Sequence, residues 1–558
     1  MQKQWWHGKV AYQIYPKSFK DSNGDGIGDL RGIIEKLPYL HELGIEILWI
    51  SPIYKSPFVD QGYDIADYQA IDPLFGSMAD FDELLAKAKE LNIAVIMDLV
   101  VNHCSSEHEW FKKACADPSC EEASYFYFRE GKDGKAPNNL RANFGGSVWD
   151  KVPGQDNLYY CHFFAKEQPD LNWFNPKLRQ RIYDMMNWWF EKGVAGFRVD
   201  AIMCIGKDPS FPMYPADALG DGMCACGVMN AEHNDVAEKF LQEMQDNTFR
   251  KHQAFSVGEV FGLQKDNTEK FIGDHGCFST IFDFAAREAL STKPAYFAFE
   301  KLSVAQYRAV TFKAQELTND CGFLAPVIEN HDEPRGVSTW LPEMWQNARG
   351  AKALGTVNLM LRGIPFVFQG QEIGMTNTRF GSIYEFDDLQ SKEEYRRCLD
   401  HGLSEETALR VLNDQARDNA RTPMLWDDSR FAGFSTEVPW MKVHQDYKTL
   451  NVKAQIDDPN SVFSHYKALI ALKKNPAYHE TLTYGRFEAL DDPNEHTLAF
   501  LRKGDGQTLL VAANFGLKEV AFKAPEGSRM LIKSGEASLE NGEVHVAEGS
   551  SVVVELTK

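Results

Sequence analysis

No window of the chain approaches the roughly 18 consecutive apolar residues of a membrane-spanning helix. The opening residues, MQKQWWHGKVAYQIYPKSF, have no basic stretch followed by a long apolar run, so a cytoplasmic protein with no membrane partner is expected. Positive charge is in deficit. Lys plus Arg number 59 against 80 Asp plus Glu, a net charge of -21, which repels nucleic acid and anionic membrane and leaves a small neutral or cationic substrate as the better partner. Cysteine is scattered. The 10 residues, at 104, 115, 120, 161, 204, 224, 226, 277, 321 and 398, lack the spacing of a zinc module or a disulfide framework. Cys224 and Cys226, the one close pair, have no further soft ligands at zinc spacing and read as reduced thiols.

What is present is ordinary for a large globular protein. With 558 residues, 44% hydrophobic and 25% charged, the chain can bury a sizeable core in one large domain with appendages or in two to three domains. Short apolar strands alternate with amphipathic helices, the pattern of an α/β fold with parallel strands. Strands are expected from Ala11, Glu46, Ala94, Gly196, Ala254, Thr280, Phe323 and Pro365. Leu178, Ile182, Met185, Met186 and Trp189 mark one face of a helix that Gly193 stops. Eight such repeats predict a (β/α)8 TIM barrel formed by 1–103 and 174–476, with a long excursion at about 375–460. The turn-rich, aromatic segment 104–173 reads as an inserted domain, and seven short strands within 477–558 as a C-terminal antiparallel β-sandwich.

A barrel enzyme carries its chemistry at the C-terminal ends of its strands. There the sequence places Asp98, Asn102 and His103; Arg198 and Asp200; Glu259; and His331 with Asp332. Residues two apart on a strand share a face, so Arg198 is expected to pair with Asp200 and keep it ionised. Glu259 lies between Gly258 and Val260, and apolar surroundings are expected to favour its protonated form. One anionic and one protonated carboxyl are what glycosidic cleavage requires.

The segments DLVVNH, GFRVD, GEV and ENHDEPR resemble the four signature regions of the α-amylase family, glycoside hydrolase family 13. QPDLNW, from Gln168, resembles the motif of its oligo-1,6-glucosidase, dextran glucosidase and α-glucosidase subfamily. The resemblance runs over nearly the whole chain. It implies an exo-acting, retaining α-glucosidase that takes glucose from the non-reducing end of short α-glucosides, with Asp200 as nucleophile, Glu259 as general acid and base, and Asp332 as transition-state stabiliser. It also implies a glucose pocket formed by Asp60, Tyr63, His103, Phe163, Arg198, His331 and Arg417, with Asp60 and Arg417 closing its end. A monomer or small homo-oligomer acting on small oligosaccharides is expected.

DSNGDGIGD alternates oxygen side chains with glycines, as a loop around a hard cation does, but Gly32 stands where an EF-hand needs its final Glu. The resemblance implies one structural Ca2+ held by Asp21, Asn23, Asp25, the Ile27 carbonyl and Asp29. Specificity is assigned to Ala201, Val260, Phe261 and Gln390. Ala201 stands where α-1,6-preferring members commonly have Val, which suggests α-1,4 or mixed activity. The segment 208–232 is longer than expected and should reshape the mouth. Trehalose-6-phosphate hydrolase is an alternative, with Lys207 and Lys265 as candidate phosphate ligands, and so is a sucrose isomerase or other transglucosylase. A non-catalytic transporter-associated relative is a remote one, since it should carry a membrane segment and lose the carboxylates.

Overall fold

The computed structural model describes residues 2–557 except 133, 233, 266, 292–294 and 492–493. Eight parallel strands form one sheet: β1 (Ala11–Ile14), β2 (Ile47–Ile50), β3 (Ala94–Val100), β4 (Gly196–Asp200), β5 (Phe255–Gly258), β6 (Thr280–Phe282), β7 (Leu324–Ala325) and β8 (Phe366–Phe368). Neighbours in the sheet follow chain order, and β8 returns to β1 through Ala11↔Phe366. The remaining gap is bridged where Ile364 N–H donates to the Leu324 carbonyl (3.0 Å) and Phe366 N–H to the Pro326 carbonyl (3.0 Å). The eight strands are the eight expected from the sequence, because parallel strands covered on both faces read as nearly continuous apolar runs.

Inward-facing residues stack in layers. Ala11, Ile47, Trp49, Ile96, Phe255, Val257, Phe282, Ala325 and Phe366 form one apolar plug. Two residues further along their strands, the same inward columns become charged: Ile96 is followed by Asp98 and Val257 by Glu259, while β4 presents Arg198 and then Asp200. The helix Pro176–Lys192 delivers β4. Asn175 caps its N-terminus by accepting from Lys177 N–H (2.9 Å), and Gly193 ends it at φ 113°.

Between β3 and β4, Leu158–Cys161 pairs antiparallel with Phe128–Glu130 and Trp149–Lys151. The long segment after β4 joins this insertion: Cys224–Ala225 pairs with Leu140–Arg141, and Arg141 forms ion pairs with Asp217 (2.5 Å) and Asp221 (2.7 Å). All ten cysteines are free thiols.

The C-terminal strands are β9 (Arg486–Ala489), β10 (Thr497–Lys503), β11 (Thr508–Asn514), β12 (Val520–Lys523), β13 (Arg529–Ser534), β14 (Ala537–Glu540), β15 (Glu543–Val546) and β16 (Ser550–Leu556). They form an antiparallel five-stranded sheet, β9-β10-β11-β16-β13, and a three-stranded one, β12-β15-β14. β14 is an addition to the seven strands read from the sequence. The five-stranded sheet turns Phe487 and Phe500 against Phe312 of the barrel helix Val304–Leu317. At this seam lie two buried cations, Lys473 and Arg502. Arg502 donates to the carbonyls of Met360 (2.9 Å), Thr481 (3.3 Å) and Gly485 (3.0 Å).

Candidate active site

Arg198 is the centre of the barrel mouth. Fully buried on β4, its Nη1 meets Asp98 Oδ1 at 2.8 Å and Asp200 Oδ1 at 2.6 Å, and its Nη2 meets Glu259 Oε1 at 2.5 Å. Register explains the cluster: Arg198 pairs with Asp98 on one side and Val257 on the other, so the side chains above those positions converge. One guanidinium faces three carboxyl groups, which compete for its charge. Burial, with Glu259 and Asp98 nearby, pushes Asp200 well above the usual carboxylate range against the pull of Arg198. Burial lifts Asp98 to about 6.

This corrects the sequence expectation for both carboxyls. Arg198 does pair with Asp200, but it is shared with two other acids, and burial opposes its pull. Glu259 does not sit among apolar groups. Its chain neighbour Val260 points into the core, while Glu259 itself faces Arg198 and accepts from Ala201 N–H at 2.8 Å.

Asp332 follows the opposite rule. Burial works to raise it, but His331, Arg417 and Arg421 outweigh burial and hold it well below the usual range. Arg417 Nη1 reaches Asp332 Oδ1 at 2.8 Å and Arg421 Nη2 the same oxygen at 2.9 Å. Burial lowers His331 to about 4, so it is neutral near pH 7. The Gln13 amide donates to its Nδ1 (2.8 Å), which leaves Nε2–H to donate to Asp332 Oδ2 (3.0 Å). Tyr63 stacks on the His331 ring (5.2 Å between centroids) and donates to Asp98 Oδ2 (2.9 Å).

The end of the cleft is closed by a lattice of charges. Arg417 Nη2 lies 2.6 Å from Asp388 and 3.4 Å from Asp60, while Gln168 Nε2 donates to Asp60 Oδ2 (3.0 Å) and lies 3.1 Å from His103 Nε2. Asp418, next to Arg417 in the chain, accepts from Ser391 Oγ (2.5 Å) and Asp387 N–H (2.8 Å).

The cleft has a volume of about 630 Å³ and is lined by Asp60, Tyr63, His103, Asp200, Glu259, Asp332 and Arg417 at its acidic end. Ala201, Met203, Cys204, Phe261, Ser291 and Gln390 line its remaining wall, with Gly227 and Asn230 from the long segment after β4. Arg198 and His331 are wholly buried and act behind this surface. Two expected residues lie elsewhere. Phe163 is buried in the inserted domain's core with Lys207 Nζ 4.4 Å from its ring centre, and Phe164 and Phe144 line the cleft instead. Val260 is core, whereas its neighbour Phe261 is 48% exposed and stacks on Phe284 at 5.0 Å.

In the acidic glycine loop, Asp21 Oδ1 accepts from Asn23 and Gly24 N–H, and its Oδ2 from Gly26 N–H and Ser435 Oγ. Asp29 caps the helix Leu30–Leu43 through Gly32 N–H (2.7 Å) and binds Ser22. Asp25 accepts from Ile27 N–H and the Asn23 amide. The all-oxygen donor set suits a hard cation, but these oxygens are turned to the loop's own donors. Among the described residues no cluster of three or more His, Cys, Asp or Glu has metal-holding geometry.

A parallel barrel with a charged mouth, an inserted domain after β3 and a β-sandwich behind defines a class of barrel enzyme, and comparison with known proteins narrows it. The family described as "Alpha amylase, catalytic domain" matches residues 13–485. The chain belongs to the α-amylase family. It is 41% identical over 516 residues to the probable oligo-1,6-glucosidase 3 of Bacillus subtilis, spanning 92% of this chain and 91% of that one. It is 41% identical over 525 residues to the glucan 1,6-alpha-glucosidase of Streptococcus pneumoniae, spanning 93% of each. Among solved structures, isomaltulose synthase from Erwinia rhapontici superimposes with a TM-score of 0.93 at 35% identity, and Bacillus licheniformis trehalose-6-phosphate hydrolase with 0.91 at 36%, each over 100% of both chains.

Proposed function

We propose that the protein is an exo-acting, retaining α-glucosidase that releases glucose from the non-reducing end of short α-glucosides. The observation that carries this reading is the closed end of the cleft, where Arg417 is held among Asp60, Asp332 and Asp388, beside Asp200 and Glu259. Such an end admits a terminal sugar and stops the chain from running through. Relatives named oligo-1,6-glucosidase and glucan 1,6-alpha-glucosidase support it.

In the mechanism, Asp200 attacks the anomeric carbon while Glu259 gives its proton to the departing oxygen, leaving a covalent glucosyl-Asp200 ester. Glu259 then takes a proton from water as that water attacks the same carbon, and two inversions restore the α configuration. Arg198 balances the charge that passes between the two carboxyls. Asp332, anionic, holds sugar hydroxyls and offsets the positive charge of the oxocarbenium-like transition state. Proton NMR of the first product from an α-glucoside tests this: α-glucose is expected, and β-glucose first would sink the covalent step.

A phosphorylated substrate fits less well. Lys207, one candidate cation, is fully buried and paired with Asp170 at 3.1 Å, and Arg417 is the only cation lining the cleft among the described residues. Linkage breadth rests on Ala201, and comparing turnover of maltose and isomaltose tests it; strong preference for isomaltose removes that role. Calcium in the Asp21–Asp29 loop is supported by its donor chemistry alone and would be structural. A cytoplasmic setting is supported by the free thiols and tested by fractionation, and sedimentation would distinguish a monomer from a small homo-oligomer.

A further inference from the structure

Ala201, the residue after Asp200, has φ 43° and ψ 31°, a left-handed backbone conformation that alanine adopts rarely. The turn has a consequence for the neighbouring strand. It directs Ala201 N–H to Glu259 Oε2 at 2.8 Å, a hydrogen bond from the end of β4 to the end of β5. The other oxygen of the same carboxyl, Oε1, faces Arg198 Nη2 at 2.5 Å. The carboxyl is therefore held by a hydrogen bond from the Ala201 amide and by the ion pair with Arg198, donor and cation standing on either side of Asp200 in the chain. An amide donated to a carboxylate favours its ionised form, and strained backbone persists where its surroundings hold it in place.

We infer that Ala201 is a positioning residue whose left-handed main chain, acting through its amide, orients Glu259 relative to Asp200 and sets the ease with which Glu259 gives up its proton. The inference rests on Glu259 being the general acid and base. Asp200 and Glu259 then move as one unit, and the proton donor follows any shift of the nucleophile strand.

The direct test replaces Ala201 by L-lactic acid, which keeps the methyl group and exchanges N–H for an ester oxygen that cannot donate. With the amide gone, kcat/KM on p-nitrophenyl α-glucoside is expected to fall about 10-fold. The alkaline limb of its pH profile should move up by about one unit. A lower melting temperature with an unmoved limb would mean a merely structural role and overturn the inference. Ala201→Gly, which accepts positive φ and keeps the amide, should leave the limb in place. If the ester protein does not fold, the unmodified enzyme decides: the NMR shift of the Ala201 amide should titrate at the pH of the alkaline limb and cease to do so in Glu259→Gln, whereas a flat shift overturns the inference. Full activity in Glu259→Gln would instead refute the glucosidase mechanism itself.

Discussion

The barrel mouth and the seam between barrel and β-sandwich both bury cations, and they handle them in opposite ways. At the mouth, Arg198 is enclosed by Asp98, Asp200 and Glu259. At the seam, Lys473 Nζ is buried with no hydrogen-bond partner among the described residues, and Arg502 meets carbonyls alone, through Nη1 and Nη2. Burial, with Arg502 close by, pushes Lys473 down to about 7, and burial with Arg362 close by pushes Arg502 down to about 9. Carboxyls gathered around one cation bring the reacting acids together, whereas a buried cation without carboxyls costs the fold its desolvation. Location decides which of the two is functional.

The largest expected effect lies at the mouth. Asp200→Asn should lower kcat on any α-glucoside by about 10⁴-fold or more while leaving the melting temperature equal or higher, since it relieves crowding among three acids around one guanidinium. Retained activity would remove Asp200 from its role and with it the functional half of the comparison. Arg198→Met should abolish activity and also destabilise by about 3–5 kcal/mol, because it strands buried carboxyls without a counter-charge, as read by chemical denaturation.

Lys473→Met should act in the other direction and raise stability. The folded-state pKa near 7 lies below the ordinary lysine value, so from about pH 7 to about 10.5 the unfolded chain binds the extra proton and wild-type stability rises with pH. The deficit is fully present below pH 7. The variant should therefore gain on the order of 2–4 kcal/mol at pH 6, and its advantage should vanish towards pH 10. An advantage independent of pH would show that Lys473 is not neutralised by its surroundings. The smallest effect is expected from the glycine loop. Adding Ca2+ after chelation should raise the melting temperature by about 2–5 °C without changing kcat, and no shift would remove the cation.

The sequence made the barrel legible because each of its strands is covered on both faces and reads as an apolar run. β14 escaped, because Ala537–Glu540 alternates half-buried and exposed residues and has no β-branched side chain. The site was legible as a set of residues and less so as an environment. Glu259 seemed apolar from its chain neighbours, yet neighbours in sequence point to the other face and the residues across the strands decide. The same one-residue alternation separates Phe163 from Phe164. Asp388 was hidden by a second duty: it caps the helix Leu389–Asp400 through Ser391 N–H and at the same time holds Arg417.

The lattice of Arg417, Asp60 and Asp388 is held in place by Gln168 and Arg421. A pocket shaped to the glucosyl end of a substrate also fits the glucose released from it. Free glucose should therefore compete with substrate, and the departure of glucose, more than bond cleavage, should set the pace of turnover on reactive aryl glucosides. The dead end that makes the enzyme act from one terminus should also make it slow to let go.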